Sequence, residues 1–406
     1  MKKTLFLLLS VLLAFALVVV TVSCESDANS SKAEEKSEAK GEEFNDDVVK
    51  ALQTKNEVVI GNVNSLFSSI EGALKTGSFS KAEVEATVGL KAADGVKITT
   101  ADEIKAYKSD LSGKTPSKFK SVKVTATMTP GTSSSEGSKS LKFVYTTDKV
   151  TDKSYTLDGS YNEPIVYEAL AVVEALTTKE QDTTNKVYTY TTDIAGLLKR
   201  IVKTVADGAD IDGTAVITLS SGNIAVAYDL ALIGSADGNT LVVDVTKLEA
   251  KIGAKTLFSV KGKVTFTLSS DFGFTWTSVT TESSSGDKST MAFSNGSSVS
   301  MVVEDFEATF DKCVFSGSTK AVFSFDKEGL SSVNIEELTL TETIDGKKYA
   351  ELDASCNNKT KVTPDEFING LKIYKFAVDG KEYGSESIKS FIKAYIEKKD
   401  AENSKH

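Results

Sequence analysis

Between residues 46 and 74 the apolar positions Val48, Leu52, Val59, Val63, Leu66 and Ile70 recur in steps of three, four or seven, the period of one helical face. Gly61 weakens its middle, and Gly77 marks its end. Thr100 and Glu103 form a capping box that predicts a second helix as far as Leu111. A third opens at Pro164, behind Asn162, with Ile165, Ala169, Val172, Val173 and Leu176 on its inner side. In the fourth, Ile194, Leu197, Leu198, Ile201, Val202 and Val205 hold strict helical spacing up to Gly208. Burying such side chains contributes about 1.5 to 3 kcal/mol each, so this helix is expected to lie across a sheet. Ile388, Phe391, Ile392, Tyr395 and Ile396 give a last helix, begun near Ser385 and fraying from Asp400.

After Gly208 the period falls from 3.6 to 2. Phe258, Val260, Val264, Phe266 and Leu268 share one face of a strand, and Ser259, Lys261, Lys263, Thr265 and Thr267 share the other. The same alternation runs through Ile224 to Leu232, through Phe272, Phe274 and Trp276, and through Ala321, Phe323 and Phe325. One greasy face and one wet face are the mark of antiparallel sheet covered on one side. Asp-Gly at 158, 237, 345 and 379 and Asn-Gly at 295 suit tight hairpin turns. Three segments change apolar phase midway: Val245 to Leu248, Val303 to Phe306, and VNIEELTL from Val333. Such a change implies a bulge. LFSVKGKVTFTL and VFSGSTKAVFSF lie about 57 residues apart, a likeness that duplication or β patterning alone explains.

These elements predict an α+β fold, a large curved antiparallel β-meander sheet packed against several amphipathic helices. Residues 45–208 are expected to be helix-rich with a few strands, 209–384 a β-meander, and 385–406 a C-terminal helix and tail, with 45–406 forming one domain.

The N-terminus is of another kind. Lys2 and Lys3 precede an apolar run from Leu5 to Val20, broken only by Ser10, the charged and hydrophobic regions of an export signal. At about sixteen residues the run is short of the roughly 20 that span a bilayer. Thr21, Val22, Ser23 and Cys24 resemble the lipobox of bacterial lipoproteins, with Thr21 where Leu or Val is usual. The resemblance implies cleavage after residue 23, acylation of Cys24 with palmitate-type chains, and a place in the bacterial cell envelope. The alternative is an ordinary secretory signal with a cysteine nearby. Residues 24–44 mix Glu, Lys, Ser and Ala with no apolar face and read as a disordered tether.

Charge and chemistry narrow the function. The formal charge is −10, and loss of Lys2 and Lys3 with the signal takes it to −12, which disfavours nucleic acid and anionic head groups. Cys313 and Cys356 are the cysteines beyond Cys24, and export permits either a disulfide or two separate buried thiols. The single histidine is His406, the final residue, where no base can be held in place, so histidine-based hydrolase, zinc and redox sites are excluded. No glycine-rich phosphate loop appears, and no cofactor is expected. ADGADIDG, 206–213, imitates a calcium loop around Asp210 and Asp212 but has Gly208 and Leu219 at two ligand positions. Glu304, Asp305, Glu336 and Glu337 sit at phase changes, as solvated bends or as carboxylates for glycoside chemistry. Lys114, Lys118, Lys120 and Lys123 make a basic run that suits anionic lipid or polysaccharide, or a strand entrance with a solvated face. Phe272, Phe274 and Trp276 line a ligand cavity or fill a core.

The expectation is a non-enzymatic envelope lipoprotein held to the lipid bilayer through Cys24, with an apolar or lipid ligand between sheet and helices. In outline it is similar to periplasmic lipoprotein carriers and tubular lipid-binding proteins. The alternative is a surface adhesin or structural envelope protein with a protein or polysaccharide partner from envelope or host.

Overall fold

A computed structural model describes residues 36–98, 102, 117–131, 137–156, 172–184, 186–220, 222–281, 288–327, 329–357 and 368–403. The export signal, Cys24, Lys114, nearly all of the Thr100–Leu111 helix, the Pro164 helix start, Asp158 and His406 lie outside them. The chain forms two compact units. The middle unit holds Gly72–Leu248 and Thr267–Ser297; the terminal unit holds the two ends together with Glu249–Phe266 and the segment from Ser298.

In the middle unit β1 (Lys81–Leu90), β2 (Val96–Lys97), β3 (Lys118–Thr129), β4 (Ser138–Thr147), β5 (Lys153–Thr156), β8 (Ala209–Leu219) and β9 (Gly222–Gly234) form antiparallel sheet. The strands run in the order β9-β8-β1-β3-β4-β5, with β2 on β3. A separate four-stranded sheet has the order β13-β12-β7-β6, from β6 (Thr177–Asp182), β7 (Val187–Asp193), β12 (Phe274–Thr281) and β13 (Lys288–Phe293). Val, Thr and Tyr make up six of the seven residues of β7 and five of the eight of β12, since β-branched and aromatic side chains pack well on a pleated surface.

The helix Ile194–Thr204 begins where Asp193 caps it, accepting from the Gly196 N–H at 2.8 Å. It buries Ala195, Val202 and Val205 but leaves Leu198 and Ile201 40% and 52% exposed. The six-residue apolar face is therefore only partly covered. The helix packs on β12 and β9, and its end is tied to β9, with the Gly234 N–H donating to the Val205 carbonyl at 2.8 Å.

In the terminal unit β14 (Ser297–Phe310), β15 (Cys313–Asp326), β16 (Gly329–Ile344), β17 (Lys347–Asn357), β18 (Leu371–Val378) and β19 (Lys381–Glu382) are neighbours in chain order. The turns Asp345-Gly346 and Asp379-Gly380 have positive φ at both residues, the two-residue hairpin turn expected from sequence. The helix Asp46–Thr76, α1, brings Val48 and Leu52 onto a core of Val333, Ile335, Leu340, Leu352, Ile373 and Phe376. The helix Ile194–Thr204 is α2, and Ser385–Asn403 is α3, which adds Ile388 to that core and continues past Asp400.

The phase change in β16 is a bulge. Opposite Lys320 and Ala321 stand Glu337 and Ile335, leaving Glu336 unpaired in register, and Asp305 has φ +52. The same order of exposure recurs in three strands: Thr246-Lys247 in β10 (Thr240–Ile252), Glu304-Asp305 in β14 and Glu336-Glu337 in β16 are exposed pairs. In each, two half-buried residues and then a buried one follow.

The α+β expectation is overturned. Nineteen strands stand against three helices of seven or more residues among the described residues, closer to an all-β fold with a large antiparallel sheet. Residues 45–208, read as helix-rich, contain seven strands. Their Thr- and Lys-rich exposed positions hid the alternation that purely apolar patterning detects. No described helix is long and apolar enough to cross a membrane.

Candidate functional site

Two features of the terminal unit stand out. The first is a docked strap, residues 36–44, where a disordered tether was expected. The Ala39 N–H donates to the Ile373 carbonyl at 2.8 Å and the Ala39 carbonyl accepts from Ser385 at 3.0 Å. The Glu42 N–H donates to Glu382 at 2.8 Å, and its carbonyl accepts from Gly384 at 3.1 Å. Lys36 pairs with Asp353 at 2.9 Å, Glu38 with Lys389 at 2.8 Å, and Glu42 with Lys381 at 3.2 Å. Phe44 meets the rings of Phe376, Tyr383 and Phe391 edge-on at 5.3, 5.7 and 5.1 Å. Gly41 is where the strap comes closest, since a Cβ there would overlap the Glu382 carbonyl and the Tyr383 amide. Burial raises the Glu38 carboxyl, but hydrogen bonds from Lys389 and Ser385 outweigh it and hold it below the usual range.

The second is a groove of about 590 Å³ between α1 and two hairpin turns, lined by Lys50, Ala51, Thr54 and Lys55 from the helix and by Asp311, Lys312, Ile344 and Asp345. Beside it lies Glu342, 1% exposed, two residues before Ile344 and so on the same face of β16. The Cys313 thiol donates to one Glu342 oxygen at 3.5 Å; the other is buried without a partner. Burial pushes the Glu342 carboxyl up to about 6, against the pull of the Cys313 hydrogen bond and the Lys55 charge. Burial, with the Glu342 charge, drives the Cys313 thiol far above its usual range. Lys55 Nζ lies 5.6 Å from the centre of the Tyr349 ring. The rim carries both signs, with Lys312 paired to Asp345 at 3.1 Å, and the Lys55 charge acts on the buried Glu342 carboxyl. Its thiol neighbour is too weakly acidic to act as a nucleophile.

The two cysteines do not pair. Cys313 stands opposite Ile344 and Cys356 opposite Ile335, nine residues apart on β16 and so about 30 Å apart along it, whereas a disulfide needs about 7 Å or less. Both are free and buried, in separate clusters. Phe272 and Phe274 pack on Phe293 at 6.3 and 4.5 Å, and Trp276 is 39% exposed.

ADGADIDG is a helix stop at Gly208, φ +96, running into β8, where Asp210 pairs with Lys91 at 2.8 Å. Among the described residues no cluster of three or more His, Cys, Asp or Glu is arranged to hold a metal. Glu304 pairs with Lys263 at 2.8 Å and Glu336 with Lys320, as solvated bends do. Within the basic run, Lys123 is bound to Glu85 at 2.5 Å and Lys118 to Asp94 at 4.0 Å.

Sequence reasoning missed the strap and Glu342. The strap carried a faint signal, charges at 36, 38 and 42 closed by the aromatic Phe44. Glu342 sits among alternating Leu, Thr and Glu and looks like any wet-face residue. Comparison with protein-family models, with curated proteins and with solved structures returned no match.

Proposed function

We propose that this is a non-enzymatic bacterial envelope lipoprotein, exported, acylated on Cys24 and held by that lipid to a bilayer. The observation that carries the reading is the abrupt break at Cys24, from an apolar run interrupted only by Ser10 into a charged tract. Two or more acyl chains, at about 0.8 kcal/mol per buried CH₂, hold a protein where one chain is marginal. The docked strap supports the reading, because it grips the chain soon after the acylation point. The groove beside Glu342 carries Lys50, Lys55, Asp311, Lys312 and Asp345 on its rim. Detergent-phase partitioning tests the anchor: the wild type enters the detergent phase and Cys24→Ser stays in the aqueous phase. Equal partitioning of the two would count against it.

A second reading, a surface adhesin, is favoured by one observation. Trp276 and Met291, cross-strand partners on the Thr-rich four-stranded sheet, are 39% and 69% exposed. Lys179 Nζ lies 4.9 and 5.5 Å from the Tyr188 and Tyr190 ring centres on the same sheet. Such a face suits a protein or polysaccharide partner. Proteolysis of intact cells separates the two: an adhesin is cut, and a protein facing the periplasm is shielded.

A further inference from the structure

We infer that the Trp276 face of the four-stranded sheet binds a neutral polysaccharide; this names the partner of the adhesin reading above and rests on the same exposed face. Cross-strand partners share a face, and every second residue along a strand returns to it. The register therefore puts Trp276 and Met291 on one side with Tyr188, Tyr190, Lys179 and Gln181. Glu180, Asp182, Asp193 and Lys288 fall on the other side. Among the described residues of these strands, Lys179 is the only charge on the Trp276 side.

Size and charge choose the partner. Four strands of six to eight residues, about 4.8 Å apart and rising about 3.3 Å per residue, present a face of about 400 Å². Each side of a stable protein interface buries about 800 Å², twice as much. A polyanion meets a chain of net charge −10, and a basic protein meets no carboxylate on this face. An uncharged chain of sugar rings faces neither obstacle. Trp276 is 39% exposed, and the negative faces of its ring attract the weakly positive C–H groups of a pyranose. Met291, directly across from it and 69% exposed, is unbranched and adapts to the outline of the sugar. The Tyr188 and Tyr190 rings hold Lys179 Nζ at 4.9 and 5.5 Å, where its remaining donors can meet sugar hydroxyls. Gln181 Nε2 donates to the Tyr188 hydroxyl at 3.4 Å, and its amide oxygen adds an acceptor.

Trp276 is the only tryptophan in the chain, so its fluorescence reports on this face alone. The test titrates the full-length protein with dextran, laminarin and mannan as neutral probes and with polygalacturonate as the polyanion. The expected result is a saturable change in emission with a neutral probe and none with polygalacturonate. In native gels containing the probe that responds, Trp276→Ala lowers affinity by about tenfold and Trp276→Phe restores part of it. Thr290→Ala, on the opposite face, migrates as wild type. Emission that ignores all three neutral probes, or that responds best to polygalacturonate, overturns the inference. If intact cells are also cut by protease, the adhesin reading survives that failure with a protein as partner. A response to a neutral probe from a protein that intact cells shield overturns the adhesin reading and leaves the polysaccharide site standing.

Discussion

Glu342 accepts a hydrogen bond from the Cys313 thiol at 3.5 Å through one oxygen, while its other oxygen is buried with no partner. A carboxylate so placed resists ionisation. Its folded value of about 6 lies above the ordinary 4.5, so the folded state holds the proton more tightly than the unfolded chain. The stability it lends is full below pH 4.5 and is lost as pH rises through 6. At about 1.4 kcal/mol per pH unit the loss is about 2 kcal/mol. Glu342→Leu removes this dependence: its stability relative to wild type is predicted to rise by about 2 kcal/mol between pH 4 and pH 7.5. Denaturant unfolding at the two pH values measures it, and parallel behaviour of the two proteins would contradict it.

The thiols offer a second prediction. Burial lifts Cys356 to about 12 and Cys313 higher still, so neither presents a thiolate at neutral pH. Both are expected to resist iodoacetamide in the folded protein and to react on unfolding, and a reducing agent is expected to leave the melting temperature unchanged. A linked 313–356 peptide in a non-reducing digest would show that the register along β16 is wrong.

Gly213 distinguishes a strand from a calcium loop. It lies in β8 opposite Ala86, under the Tyr228 ring, whose hydroxyl donates to the Glu85 carbonyl at 3.1 Å. A Cβ there would overlap both the ring and that carbonyl. Gly213→Ala is predicted to destabilise by about 1 to 3 kcal/mol, the range for overpacking. Calcium is predicted to leave the wild-type melting temperature unchanged. A calcium-dependent rise would restore the loop reading.

What the sequence disclosed follows from what each signal measures. Positive-φ turns were legible at Asp345-Gly346 and Asp379-Gly380 because turn geometry is a local demand on two residues. The bulge in β16 was legible because a phase change in VNIEELTL leaves no other way to keep its apolar residues inside. The balance of helix and strand was not: strands such as SKSLKFVYTT and TTKEQD carry polar residues on both faces, and their alternation is shallow. Nor was the strap, whose order comes from partners more than 300 residues away, Asp353, Lys381 and Lys389. Glu342 is hidden for the same reason, since its burial depends on neighbours across strands and on α1.

Mass spectrometry of the mature N-terminus tests the anchor most directly. The prediction is a chain beginning at Cys24 and carrying two or three acyl groups. An unmodified terminus at any other residue would contradict the lipid anchor and leave the strap without a bilayer to hold.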